Sequence, residues 1–299
     1  MANGKEVSLT RMVYNQERGA AIRRLDTFSL LQRIRSQTAR LFAPLQNEFW
    51  GHQPPPCASC GQALKGDSNP LGICANCFAA IPWITQVLCP VCGRGIACPD
   101  CQRGHLRYYR LNRSAVQYND AMRELLARFK YRGDQQLAPM FGMMLYHGYR
   151  HLTDVLQRPV HAAFDCLTYV PVSPERLAER GFNQAEEMAV ALARHVQLPV
   201  VPLLSRVKAT SKQSQKSRTA RFLDMRGAFA LNEAGKLELE KTVALRREKL
   251  VQQGRGIADA IPQILLIDDV YTTGSTVDQC AATIRSGMEA EVNTLTWAR

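Results

Sequence analysis

The chain lacks any apolar run of membrane-spanning length. Stretches such as Ile264 to Ile267 are far too short to cross a bilayer, and the N-terminus lacks the apolar segment of a secretory signal. These absences predict a soluble, cytoplasmic protein. Neither a Walker A loop nor a Gly-x-Gly-x-x-Gly turn is present, so two common nucleotide-binding signatures are excluded. Acidic residues are also in short supply. With 26 Asp and Glu against 38 Lys and Arg, the formal charge is +12. That balance favours polyanionic partners such as nucleic acid, phosphorylated metabolites or anionic lipid, without choosing among them.

What is present begins with length and apolar content. The 299 residues, 46% of them hydrophobic, suffice for one large or two ordinary domains with a sizeable core. Residues 1–56 read as an extension ending in the breaker run Gln53-Pro54-Pro55-Pro56. Within it, Phe28, Leu31, Ile34, Leu41 and Phe42 roughly follow a helical period, with Arg33, Arg35 and Arg40 interleaved, and a helix covering a domain surface is favoured over a docking helix.

Beyond residue 105 strand-like and helix-like segments alternate. Asp165 to Val172 reads as a strand, Asn183 to Val196 as a helix opened by a capping box of Asn183 and Glu186, and Ile264 to Ile267 as a buried strand. Val277, Ala281 and Ile284 mark a helix closed by Gly287, and Val292 to Trp297 returns as a strand. Strand, helix, strand in this order predicts an α/β domain with a parallel sheet over residues 106–299. The charged, helix-forming stretch at 231–260 reads as a surface insertion with a solvated helix.

Two motifs carry chemistry. The first is the set of pairs Cys57/Cys60, Cys74/Cys77, Cys89/Cys92 and Cys98/Cys101, which gathers eight of the ten cysteines into residues 57–105. Each Cys-x-x-Cys puts two thiolates on one tight turn, where they can reach the same tetrahedral zinc ion, and Gly61 and Gly93 follow as knuckle glycines. Two structural zinc ions are expected, most simply one on the first four cysteines and one on the last four; interleaved pairing, an iron–sulfur cluster and disulfides are the alternatives. Cys166 and Cys280 stand alone in apolar segments and read as core residues.

The second motif runs Leu265-Leu266-Ile267-Asp268-Asp269-Val270-Tyr271-Thr272-Thr273-Gly274-Ser275-Thr276. A buried strand ends in two carboxylates, and a hydroxyl-rich turn around a glycine then opens a helix. Backbone N–H groups and the helix dipole converge there on one anion. Carboxylates at the lip of such a cradle accept hydrogen bonds from ribose hydroxyls, directly or beside Mg²⁺, so a phosphorylated sugar fits better than an isolated phosphate.

This segment resembles the phosphoribosyl pyrophosphate loop of type I phosphoribosyltransferases. Three further stretches narrow the resemblance: Phe129-Lys130-Tyr131-Arg132-Gly133-Asp134, Val170-Pro171-Val172-Ser173-x-x-Arg176-x-x-x-Arg180-Gly181-Phe182-Asn183-Gln184, and Lys208 to Phe229. Together with the cysteine module they resemble the ComF family of competence proteins and its GntX-like relatives over about residues 57 to 299.

The resemblance implies a double zinc ribbon ahead of a type I phosphoribosyltransferase-like domain that binds phosphoribosyl pyrophosphate with Mg²⁺. Asp268 and Asp269 would hold the ribose hydroxyls, and Thr272, Thr273, Gly274, Ser275 and Thr276 the 5′-phosphate. Val170, Pro171 and Val172 would form the pyrophosphate loop, with positive charge from Arg176 and Arg180. The alternative for those arginines is a surface helix pairing them with Glu175 and Glu179. Lys208 to Arg221 would be the mobile catalytic loop, with Lys212, Gln213 and Arg221 as candidate catalytic residues. Asp224 stands where the family pattern has Asn, and Lys216 where it has an apolar residue.

Three functions follow from the resemblance. The chain is expected to be a DNA-uptake factor that binds phosphoribosyl pyrophosphate and single-stranded DNA, alongside DNA-processing proteins. Phe78, Trp83, Tyr108 and Tyr109 are the candidates for base stacking, and Arg94, Arg103, Arg107, Arg110 and Arg113 for phosphate contact. The alternatives are a working phosphoribosyltransferase, for which no general acid or base stands out, and a non-catalytic sensor of phosphoribosyl pyrophosphate.

Overall fold

The computed structural model describes residues 55–299 apart from 65–68, 97, 99–100, 102–106, 132, 208–226 and 253–260. Along the described chain a short helix α1 (Ala75–Ala79) is followed by β1 (Asn112–Val116), α2 (Asp120–Tyr131), a 3-10 turn (Gln135–Leu137) and α3 (Ala138–Leu156). Then come β2 (Cys166–Tyr169), α4 (Pro174–Arg180), α5 (Gln184–Val196), β3 (Leu204–Arg206) and β4 (Phe229–Leu231). The chain closes with α6 (Glu233–Gln252), β5 (Gln263–Val270), α7 (Ser275–Gly287) and β6 (Glu291–Ala298).

Four strands form one parallel sheet in the order β1-β6-β5-β2, and β3 with β4 makes a separate antiparallel ribbon. The predicted α/β architecture, a parallel sheet with flanking helices beside a cysteine-rich segment, is the observed one. β5 has helices packed over both of its faces and shows the apolar run such a strand needs, Ile264 to Leu266 pairing with Val292 to Thr294. Alternation along it divides the core. Leu265, Ile267, Leu295 and Trp297 pack with α3 and α5, whereas Ile264, Leu266 and Val292 pack with α7 and the β3–β4 ribbon. Each of these fully buried apolar side chains contributes about 1.5–3 kcal/mol relative to exposure.

Strand β1 has no counterpart in the sequence reading, and its composition explains why. Its five residues, Asn112 to Val116, are all buried, but three of them are polar. Each of those three side chains finds a partner: Asn112 donates to the Cys92 carbonyl (3.1 Å), Arg113 donates through Nη1 to the Pro90 carbonyl (2.9 Å) while its Nε has none, and Ser114 pairs with Thr296 (2.6 Å). A neighbouring module can bury a polar strand by supplying its hydrogen bonds, and such a strand shows no apolar period.

The helix at 233–252 lies inside the charged stretch expected to be helical, and it buries Leu239 and Val243 rather than being solvated all round. Half of the expected capping box forms. Asn183 caps α5 by accepting from the Ala185 N–H (3.1 Å), while Glu186 accepts from the Tyr169 hydroxyl (3.0 Å). The basic pattern around Phe28 to Phe42 lies outside the described residues. Among the described residues no helix is long and apolar enough to cross a membrane.

Candidate phosphate-binding site and metal centres

β5 delivers Asp268 and Asp269 to the C-terminal end of the sheet, the end where open parallel sheets place their ligand sites. Both carboxylates line a cavity of about 660 Å³. Asp268 accepts from the Asp269 N–H at 2.9 Å, and Asp269 is ion-paired with Lys130 from α2. Burial, and then the charge of Asp269, push Asp268 up to about 8. Near neutrality Asp268 therefore keeps its proton in the ligand-free fold.

The hydroxyl-rich turn follows. Thr272 and Thr276 line the cavity. Thr273, Gly274 and Ser275 stand outside its lining and hold the turn together: the Thr273 and Ser275 hydroxyls are hydrogen-bonded at 3.0 Å, and the Ser275 N–H donates to Thr273 Oγ1 at 3.4 Å. Gly274 caps α7 with φ 82°, a left-handed backbone suited to glycine. The thirteen-residue α7 thus opens at the cavity, where its N-terminal N–H groups and dipole favour an anion.

The opposite wall is the turn after β2. Val170, Pro171 and Val172 all line the cavity, and Asn183 pins them by donating to the Val170 carbonyl at 3.1 Å. α4 then begins at Ser173, whose hydroxyl accepts from the Arg176 N–H, and ends at Gly181 with φ 78°. Arg176 and Arg180, four residues apart on this helix, share one face and both line the cavity. Arg180 donates to Gln184 Oε1 (2.7 Å) and to the Tyr131 hydroxyl (3.0 Å), with its guanidinium 4.8 Å from the Tyr131 ring centre. These contacts, rather than an ion pair with Glu179, orient it.

The cavity also contains residues that the sequence did not single out for it: Lys130, Tyr131, Glu179, Asn183, Gln184, Ala185 and Arg206. Arg206 is the most informative. It comes from β3, and burial, then the neighbouring Arg176, push its guanidinium down. Two guanidiniums facing one half-buried wall repel each other, and a bound polyphosphate relieves that repulsion. No motif marks Arg206; only the ribbon fold brings it in. Lys130 and Tyr131 lie in a stretch that carried the family resemblance, without a role assigned. The candidate catalytic residues Lys212, Gln213 and Arg221 lie outside the described residues.

The cysteines segregate as the simplest pairing expects. Cys57, Cys60, Cys74 and Cys77 form one group and Cys89, Cys92, Cys98 and Cys101 another, with all four sulfurs of each group within 4.8 Å of one another. Two sulfur pairs, Cys60–Cys74 and Cys92–Cys98, stand 3.8 and 3.6 Å apart. The edge of a sulfur tetrahedron around a single zinc, with bonds of about 2.3 Å, is about 3.8 Å. Backbone N–H groups of Cys60 and Cys74 donate to the Cys57 sulfur (3.5 and 3.2 Å). Burial pushes the Cys57 thiol up, but backbone amides outweigh it and bring the group to about 6, whereas burial and the neighbouring thiols push Cys77 up to about 12, so a zinc ion must displace that proton to bind all four as thiolates. The donor sets fit two zinc ions, each with four thiolates and hence no open position. None of the ten cysteines is in a disulfide. Cys166 and Cys280 are buried, and burial drives both thiols up, as expected of inert core residues.

Two candidates for nucleic-acid contact are corrected by burial. Tyr109 is 2% exposed with its hydroxyl on Tyr271, and Arg113 is 3% exposed with its guanidinium on backbone carbonyls, so neither meets an external strand. Trp83 is partly covered by Phe78 and His147. Arg107 reaches the Cys101 sulfur, and Arg110 pairs with Glu291. Phe78 and Tyr108 remain exposed, Arg94 is half-buried, and Arg103 lies outside the described residues.

No protein-family model matches the chain. Several known proteins do. The chain is 30% identical over 246 residues to the competence protein ComFC of Bacillus subtilis (strain 168), covering 79% of this chain and 86% of that protein. It is 28% identical over 229 residues to the DNA utilization protein YhgH of Escherichia coli (strain K12), with 73% and 87% covered. It is 24% identical over 235 residues to competence protein F of Haemophilus influenzae, with 77% and 79% covered.

Proposed function

This chain belongs to the ComF family, and on that premise we propose that it is a DNA-uptake factor whose cavity binds phosphoribosyl pyrophosphate. The supporting observation is the convergence of two carboxylates, a helix N-terminus and four cationic side chains on one cavity. Each part of the ligand has a matching partner. The Thr272–Thr276 turn suits the 5′-phosphate, Asp268 and Asp269 suit the ribose diol, and Lys130, Arg176, Arg180 and Arg206 suit the pyrophosphate beside the Val170–Val172 turn. Mg²⁺ carried by the pyrophosphate supplies further neutralisation of its charge. An isolated phosphate would use the turn and leave both carboxylates unmatched.

In this reading residues 57–105 are a double zinc ribbon and 106–299 the phosphoribosyltransferase-like domain. The names of its relatives, which speak of competence and DNA utilization, support the process. The formal charge of +12 and the exposed Phe78 and Tyr108 support single-stranded DNA as the polyanion. Fluorescence anisotropy with a labelled single strand tests this arm. Saturable binding whose log–log salt slope approaches about −0.7 per phosphate contacted is expected, weakened in Phe78→Ala and Tyr108→Ala. Absence of binding at low salt contradicts it.

A further inference from the structure

One buried side chain joins the phosphate-binding turn to the second cysteine centre. Tyr271 lies between Asp269 and Thr272 and is 3% exposed. The turn closes directly on it: a Cβ at Gly274 would sit 2.3 Å from the Tyr271 hydroxyl. Two routes lead from this tyrosine to ligands of one metal centre. Its ring lies 4.3 Å from the Arg299 guanidinium, which donates to the Cys92 carbonyl at 2.5 Å. Its hydroxyl pairs with the Tyr109 hydroxyl at 2.6 Å, and the Tyr109 ring lies 5.5 Å from Arg107, whose Nη2 reaches the Cys101 sulfur at 3.8 Å.

The first centre is tied down elsewhere. Arg128 of α2 donates to the carbonyls of Ala58 and Ser59 and pairs with Asp134. α2 also carries Lys130, which is ion-paired with Asp269, so the first centre reaches the cavity through this helix rather than through Tyr271.

We propose that Tyr271, clamped by Arg299 and Tyr109, is a positioning residue that fixes the phosphate-binding turn to the Cys89–Cys101 centre. Ligand binding in the cavity and order at that centre are then coupled, and the coupling is reciprocal. The coupling rests on the cavity reading given above. It is graded: the second centre is tied to the turn itself, whereas the first meets the cavity only through α2.

Amide hydrogen exchange on the zinc-loaded full chain, with and without phosphoribosyl pyrophosphate and Mg²⁺, reads this directly. Ligand is expected to slow exchange at residues 89–93 by about tenfold, about 1.4 kcal/mol of added protection, and at residues 57–61 by clearly less. Arg299→Ala, which cuts the tie to Cys92, should retain two zinc ions and ligand binding while losing that protection. Arg299→Lys should restore part of it. In the free protein Arg299→Ala should also speed exchange across residues 272–275. Calorimetry on the same samples separates two failures. Binding without selective protection at 89–93, or equal protection at both centres, overturns the coupling alone. Absence of binding overturns the cavity reading and the coupling with it, and unchanged exchange at 272–275 in Arg299→Ala overturns the coupling whatever the ligand does.

Discussion

Each cysteine centre takes its four sulfurs from one short stretch of chain, Cys57 to Cys77 or Cys89 to Cys101. The cavity instead draws Lys130 from α2, Arg176 and Arg180 from α4, Arg206 from β3 and the two carboxylates from β5. A site built from local turns is fixed by spacing, and its loss is a loss of fold. A site assembled from distant elements is fixed by topology, and single losses within it fall on binding. Variants that cost stability at the cavity, or binding alone at the centres, would break this contrast.

The largest effect is expected at Cys92, which is fully buried. Cys92→Ser should leave about one zinc per chain and lower Tm by about 10 °C or more, since structural zinc contributes on the order of 10 kcal/mol to folding. The exposed Cys60, changed to Ser, should cost less; metal analysis and calorimetric melting compare the two. Next is Arg206→Ala. Loss of one charge-assisted contact should weaken phosphoribosyl pyrophosphate about 10–100-fold, with Tm within about 2 °C of the parent because a crowded guanidinium is removed as well.

Smaller again is the contrast between the two knuckle glycines. Both have positive φ, 76° at Gly61 and 72° at Gly93, so an alanine costs about 1–2 kcal/mol at either. At Gly93 its Cβ would also lie 2.6 Å from the Asn112 carbonyl oxygen, whereas Gly61 has open space. Denaturant unfolding should show Gly93→Ala as clearly the more damaging. The smallest effect is a pH dependence. Asp268 is held near 8 in the fold, above its ordinary 3.8, so its proton stabilises the native state at neutral pH and is lost as pH rises through about 8. Between pH 7 and 9 the ligand-free protein should lose about 1 kcal/mol, or about 2–4 °C of Tm, from this group, and Asp268→Asn should abolish that part.

The same contrast explains what the sequence discloses. The cysteine pairs, the run from Leu265 to Thr276 and the turn at Val170–Val172 are contiguous, so they stand out as motifs before any fold is known. Arg206 belongs to a three-residue strand with no motif of its own, and it reaches the cavity only because β3 pairs with β4. Strand β1 was hidden for a related reason: its polar residues are buried against the second cysteine centre, so no apolar period marks it. Tyr109 and Arg113 read as surface groups because residue type alone does not reveal that the second group of four cysteines packs beside them. Within the run from Thr272 to Thr276 the sequence does not disclose that Thr272 and Thr276 line the cavity while the Thr273 and Ser275 hydroxyls are hydrogen-bonded to each other.

Calorimetric titration with phosphoribosyl pyrophosphate and Mg²⁺, on the zinc-loaded chain and on Asp268→Asn/Asp269→Asn, tests the cavity most directly. We expect saturable single-site binding by the parent and at least about a 30-fold loss in the variant, as one charge-assisted contact of about 1.5–3 kcal/mol and one neutral contact of about 0.5–1.5 kcal/mol require, with melting nearly unchanged. No heat of binding in the parent, or equal affinity in the two proteins, would contradict the assignment.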